Sequence, residues 1–231
     1  MQTVSDCAQD VKGLPIHVSV IEVMGRNAGW LAASSALART KSGDAPHIIL
    51  FPEIPFDEEK FLKAVKEKHE KYGGVIVVAS EGLKDKEGNP IVQPIYKTDR
   101  ATYFGDVASH LQMLIISKLG IKARSEKPGL ICRCASSLVS ELDIKEALEM
   151  GKTAAAAALD KINGVMAGIK RVSSNPYKTE SILIPIEQVM LEERVFPSKY
   201  ISEDQYDVTE EFIEWMKPLI DEPSKVITFL D

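Results

Sequence analysis

The stretch HVSVIEVMGRNAGWLA, residues 17–32, sets the architecture. His17–Val23 is a short run rich in Val and Ile, Met24-Gly25-Arg26 interrupts it, and a helical pattern runs from Ala28 to Arg39. The same alternation recurs along the chain. Strand-like runs at 47–51 (HIILF), 75–79 (VIVVA), 165–169 (VMAGI) and 181–184 (SILI) alternate with helical patterns at 57–71, 105–119, 143–161 and 208–216. Short buried strands joined by helix-length crossovers give a parallel sheet, so the expected class is α/β. Asp143, ahead of Ile144, Ala147 and Leu148, is the clearest helix start. Residues 82–98, rich in Lys, Gly and Pro, read as a long exposed excursion, and 183–197 as a surface wrap toward the last helix.

Composition narrows the function. The 231 residues are 45% hydrophobic and 27% charged, enough apolar content for a core and too much for a disordered chain. With 28 Lys and Arg against 34 Asp and Glu, the net charge of -6 disfavours polyanion partners, and no basic block marks a nucleic-acid surface. The apolar stretches end well short of the ~20 residues that span a bilayer, so no membrane partner is expected. Cys7, Cys132 and Cys134 are too few and too poorly spaced for a metal framework, and read as reduced thiols of a cytoplasmic protein. Residues 1–11 place Val4, Ala8 and Val11 on one helical face with no preceding strand. The chain thus reads as the latter part of a larger protein, the alternative being a frayed helix at a natural terminus.

Three places could carry chemistry. In parallel sheets ligands gather at the carboxyl ends of strands, where a following helix aims its N–H groups at anions. Gly25 permits close approach there and Arg26 adds a planar fork of donors, so Met24-Gly25-Arg26 reads either as an anion site or as a βα turn with a surface arginine. Glu81, after VIVVA and Ser80, would present an unpaired carboxylate to sugar hydroxyls, although spacing alone favours an exposed acidic turn. In KARSEKPGLICRC, residues 122–134, Arg124 and Arg133 flank a Pro-Gly stretch in a way that suits a phosphorylated metabolite, while solvated arginines are the commoner case. Gly151-Lys152-Thr153 imitates a P-loop, but Glu146 stands where its first glycine belongs. The four histidines have no metal-binding spacing and no G-x-S-x-G nucleophile motif occurs, while Met113, Leu114 and Leu119 read as a core-facing stripe, and Trp30 and Trp215 as packing residues.

Taken in order, MGRNAGWLA at 24–32, ASEG at 79–82 and PGLICRC at 128–134 resemble the phosphofructokinase family over nearly the whole chain. FGDVASHLQMLIISKLG at 104–120, the Ala-Ser-Ser after Cys134 and the tail IPIEQVMLEERVFPSKYI at 184–201 resemble its pyrophosphate-dependent branch. The resemblance implies a parallel-sheet, Rossmann-like fold that is incomplete here, with the amino-terminal donor half absent. It implies fructose 6-phosphate as the acceptor in a glycolytic phosphoryl transfer, with pyrophosphate or ATP as donor. Met24, Gly25 and Arg26 would contact the sugar phosphate, Glu81 a fructose hydroxyl, Arg124 the 6-phosphate from across a subunit boundary, and Arg133 the accepting oxygen. Arg26 and Arg133 would stabilise transferring charge.

His17, Leu130 and Cys132 depart from the ATP-dependent pattern, the first two in keeping with the pyrophosphate branch. The Gly-Gly-Asp-Gly loop that holds phosphates and Mg²⁺ and the segment with the catalytic aspartate have no counterpart in these residues. No metal ligand is therefore expected in this chain, with Mg²⁺ held by the other half. The resemblance divides the chain into a sugar-phosphate domain (1–131), a segment that would return to the donor domain (132–185) and a tail packing back on the first (186–231). The inner face of helix 143–161 would then lie open unless another subunit covers it, and a homo-oligomer or a pairing with a complete subunit is implied. The other readings are a non-catalytic sugar-phosphate-binding or regulatory subunit and a structural fragment.

Overall fold

The computed structural model describes residues 1–14, 17–97, 102–190 and 192–220. It divides into two compact units, Met1–Cys134 with Val195–Ile213, and Ala135–Arg194 with the segment that begins at Glu214. In the first unit, helix α1 (Gln2–Gly13) leads to strand β1 (Val18–Val23), short helix α2 (Trp30–Ser34), β2 (Ile48–Leu50), α3 (Glu58–Tyr72) and β3 (Val75–Ser80). A small antiparallel pair, β4 (Pro94–Lys97) and β5 (Thr102–Phe104), precedes α4 (Val107–Leu119), β6 (Ala123–Glu126) and the single turn α5 (Ile131–Cys134). The strands β2-β3-β1-β6 form one parallel sheet, with Val18 opposite Val75 on one side and Ala123 on the other. The predicted parallel α/β class is the one observed.

The Val and Ile runs are continuous because both faces of the sheet are covered. Val18, Val20, Val75 and Val77 pack with Phe61 and Val65 of α3 and with Val107, Leu111 and Ile115 of α4. Asp57 and Asp106 cap α3 and α4 by accepting the N–H of Lys60 and Ser109, and Gly73 and Gly120, both at positive φ, end them. The helical pattern over 28–39 resolves into α2 followed by a 3₁₀ turn at Ser35–Ala38. The hydroxyls of Ser34 and Ser35 donate to the carbonyls of Leu31 and Ala32, competing with the helical ladder and tightening the turn. Met113 is a correction: Leu114 of the expected stripe is buried and Leu119 partly so, but Met113 is 61% exposed.

The second unit holds α6 (Glu141–Leu159) and a long antiparallel hairpin of β7 (Val165–Ser174) and β8 (Tyr177–Pro185). These strands are longer than expected and pair with each other rather than with a parallel sheet. Asn175-Pro176 makes the turn, and cross-strand pairs such as Lys170–Glu180, 2.9 Å apart, sustain the polar half. Helix α6 starts at Glu141, ahead of Asp143, because the Ser140 hydroxyl accepts the Leu142 N–H. Gly151-Lys152-Thr153 lies inside α6, where Lys152 pairs with Glu149 and the Thr153 hydroxyl donates to the Glu149 carbonyl. The expected open face is present: Ile144 is 55% exposed, Leu148 59% and Leu159 83%. Helix α7 spans Glu210–Met216. Among the described residues no helix is long and apolar enough to cross a membrane.

Two outcomes follow for urea unfolding. Leu111→Ala, at a fully buried site, should cost about 2–5 kcal/mol, whereas Leu148→Lys on the open face of α6 should stay within about 0.5 kcal/mol of the parent. Nδ1 of His47 accepts the Ile76 N–H, and burial, aided by the charge of Arg39, pushes the His47 pKa down to about 4. The unfolded chain thus takes up a proton near pH 6.5 that the folded chain refuses until about 4, so stability falls over that window as pH is lowered. His47→Asn, which keeps an acceptor without a titrating group, should flatten the fall by about one proton.

Candidate functional site

Strand β1 delivers the chain to the carboxyl edge of the sheet and stops at Val23, opposite Ser80 of β3. Beyond it Gly25 adopts φ +143° and Arg26 φ +51°, the latter a left-handed conformation that costs a non-glycine residue about 1–3 kcal/mol. The neighbouring strand end compels it. Glu81 Oε1 accepts the N–H groups of Gly25 (3.2 Å) and Arg26 (3.0 Å), while the Glu81 N–H donates to the Val23 carbonyl (3.1 Å). The Ser80 hydroxyl donates to the Arg26 carbonyl at 3.2 Å. Gly82 closes the arrangement, since a Cβ there would lie 1.8 Å from the Arg26 oxygen. The carboxylate expected to be unpaired is therefore paired through Oε1, and Oε2 has no partner among the described residues.

The expected helix-end contribution is not formed. Helix α2 has only five residues, and the Gly29 N–H ahead of it donates to Glu53 Oε1 at 2.9 Å, which also accepts the Phe196 N–H at 2.8 Å. Side-chain carboxylates occupy the backbone donors of the 25–29 segment, and the cation that this segment itself presents is the exposed Arg26 guanidinium. Glu53 was not among the predicted residues, and its only sequence signal is its place just after the HIILF strand.

The six predicted residues separate by position. Met24, Gly25, Arg26 and Glu81 stand together. Arg133 is exposed in α5, on the carboxyl side of β6, with no hydrogen bond or ion pair to Arg26 or Glu81 among the described residues. Arg124 sits opposite Ser19, four residues before the end of β1, which at ~3.3 Å per residue is roughly 13 Å from the turn. A cavity of about 230 Å³ opens elsewhere in this unit beside Leu50, Phe56, Lys86 and Tyr206, and none of the six lines it. Among the described residues no cluster of three or more His, Cys, Asp and Glu is suited to a metal.

Two unpredicted residues complete the edge. The Glu22 side chain is only 2% exposed; Oε1 lies 2.5 Å from Lys127 Nζ and Oε2 accepts the Ala108 N–H at 3.1 Å. Burial raises the Glu22 pKa against the opposing pull of Lys127. Burial works against the Lys127 charge too, yet Glu22, with Asp106 and Glu81 behind it, raises its pKa.

A family model described as Phosphofructokinase matches residues 1–158. This chain belongs to the phosphofructokinase family. It is 36% identical over 223 residues to a pyrophosphate–fructose 6-phosphate 1-phosphotransferase of Xanthomonas campestris pv. campestris (strain B100), covering 94% of this chain and 53% of that relative. An ATP-dependent 6-phosphofructokinase of Clostridium perfringens (strain 13 / Type A) is 48% identical over 81 residues, 34% of this chain and 20% of that relative. The crystal structure of a pyrophosphate-dependent phosphofructokinase from Marinobacter aquaeolei superposes with a TM-score of 0.82 at 31% identity, covering 96% of this chain and 53% of that one. The chain thus spans about half the length of the pyrophosphate-dependent relatives it matches along nearly all its residues.

The phosphofructokinase turn yields a paired outcome. Gly82→Ala should cost about 3 kcal/mol or more, because Arg26 must move. Arg26→Gly should hold or gain stability by about 1 kcal/mol as the left-handed strain is relieved. Thermal melting of the two variants checks the contrast.

Proposed function

We propose that this chain supplies the acceptor half of a 6-phosphofructokinase: it binds fructose 6-phosphate and presents the 1-hydroxyl to a phosphoryl donor, giving fructose 1,6-bisphosphate in glycolysis. The observation that carries this is the Glu81-locked Met24-Gly25-Arg26 turn, a strained conformation held at a strand end with an arginine at its tip. Glu81 Oε2 would accept a fructose hydroxyl, with Met24 and Gly25 against the sugar. The guanidiniums of Arg26 and Arg133 would stabilise the charge of the transferring phosphoryl group. Arg124, a strand length away, would hold the 6-phosphate in the site of a neighbouring copy, which makes the working protein an oligomer.

In this reading residues 1–131 form the sugar-phosphate domain, 132–185 return to the donor domain, and 186–231 contribute the tail. The complementary amino-terminal half would bring the catalytic aspartate, Mg²⁺ and the donor, and would cover Ile144 and Leu148 of α6. Pyrophosphate is the favoured donor, since a pyrophosphate-linked relative matches 94% of the chain and an ATP-dependent one only 34%. The free thiols Cys7, Cys132 and Cys134 suit a cytoplasmic location. The second reading, a non-catalytic sugar-phosphate-binding or regulatory subunit, uses the same turn without a donor site.

Calorimetric titration of the chain with fructose 6-phosphate, followed by assay with pyrophosphate or ATP and Mg²⁺, separates the readings. The chain should bind the sugar phosphate, and Arg124→Ala should weaken binding about 10-fold or more. Turnover should arise only when an amino-terminal phosphofructokinase half is added; binding without turnover in its presence favours the regulatory subunit. A folded chain that binds no fructose 6-phosphate overturns both.

A further inference from the structure

The carboxyl edge of the sheet gathers side chains from three adjacent strands. Glu81 follows β3, Met24–Arg26 follows β1, and Lys127 follows β6, whose last residue Glu126 pairs with Ile21. Lys127 therefore stands beside Glu22, across β1 from Glu81. Its ammonium is not a loose surface charge. Glu22 holds it at 2.5 Å, and Glu22 is itself fixed, 2% exposed, with its second oxygen on the Ala108 N–H next to the start of α4.

The pairing leaves donors unspent. An ammonium has three N–H groups; Glu22 is the one partner of Lys127 among the described residues, and the lysine side chain is 45% exposed. The edge also needs a cation on electrostatic grounds. Glu22, Glu81 and Asp106 would repel a phosphorylated sugar, and Lys127 lies close enough to all three for each to favour its charge. Stability alone gives little reason for the pair, because a buried ion pair is often matched or bettered by apolar residues of similar volume. Glu22 also follows Val18 and Val20 on the face packed by α3 and α4, where an apolar side chain is the ordinary occupant.

We infer that Lys127 is a further substrate-binding residue of this site, donating to an anionic or hydroxyl oxygen of the phosphorylated sugar, and that Glu22 is the positioning residue that sets it there. The inference rests on the acceptor-site reading above and adds a cation to it.

The test is fructose 6-phosphate titration and thermal melting of the full 231-residue chain and three variants. Glu22→Met/Lys127→Met removes both charges and orphans neither, so it should melt within a few degrees of the parent while binding at least 10-fold more weakly. Lys127→Arg should stay within about 3-fold. Glu22→Gln retains an acceptor for Ala108 but frees the ammonium, and should weaken binding about 3- to 10-fold with melting little changed. Should the double variant fail to fold, Glu22→Gln decides alone. Melting that moves while affinity stays within 2-fold of the parent makes the pair purely structural and overturns the inference. A parent that binds no fructose 6-phosphate overturns the acceptor-site reading and the inference with it, whereas a parent that binds and variants that bind equally overturn the inference alone.

Discussion

One carboxylate oxygen, Glu81 Oε1, takes two successive backbone N–H groups, and the conformation of the candidate site depends on it. The Gly25 N–H would otherwise be stranded at a part-buried strand end, where an unsatisfied group costs about 1–3 kcal/mol, while the Arg26 N–H lies at the exposed side of the turn. The same contact holds Arg26 in the left-handed region, which no local preference of arginine would choose. Ser80 and Gly82 act on the Arg26 carbonyl, so three consecutive residues of one strand end hold Gly25 and Arg26 beyond the next. The parallel register that puts Val23 beside Ser80 makes this possible, and the both-face core of the sheet fixes that register.

The edge is built from carboxylates that bind the protein's own backbone. Glu81 serves the 25–26 turn, Glu53 joins Gly29 to Phe196, and Glu22 reaches Ala108. Glu81 and Glu53 satisfy donors that loops at strand ends leave over, and Glu22 one of the unpaired N–H groups of the first turn of α4. The consequence for function is electrostatic. A site lined by its own anions would attract a phosphorylated ligand only through cations set among them, and in the reading proposed above Arg26 and Lys127 are those cations.

Much of the fold was legible because parallel strands buried on both faces read as unbroken Val and Ile runs, as at 18–23 and 75–80. At 165–185 the apolar runs 165–169 and 181–184 were legible as strands, but their extension and antiparallel pairing were not, since the outer half alternates charged and hydroxylated residues and the turn signal is a single Asn-Pro. Met113 misled because α4 is apolar nearly all round, which leaves periodicity little to distinguish. At the site, residue types and order picked out Met24, Gly25, Arg26 and Glu81. Their bonding was hidden, because the Glu81 contact spans 55 and 56 residues. Glu22 looks like an ordinary polar position within IEV, and Lys127 like a solvated residue before Pro-Gly; only the pairing of β1 with β6 brings them together.

A crystal structure of the chain with fructose 6-phosphate bound tests the central claim most directly. The account requires Arg26 to keep its positive φ, with Glu81 Oε1 on the two backbone N–H groups, and the sugar phosphate to lie within hydrogen-bonding distance of the Arg26 guanidinium and Glu81 Oε2. A turn relaxed to an ordinary φ with Glu81 pointing to solvent, or a sugar phosphate seated away from this edge, would contradict it.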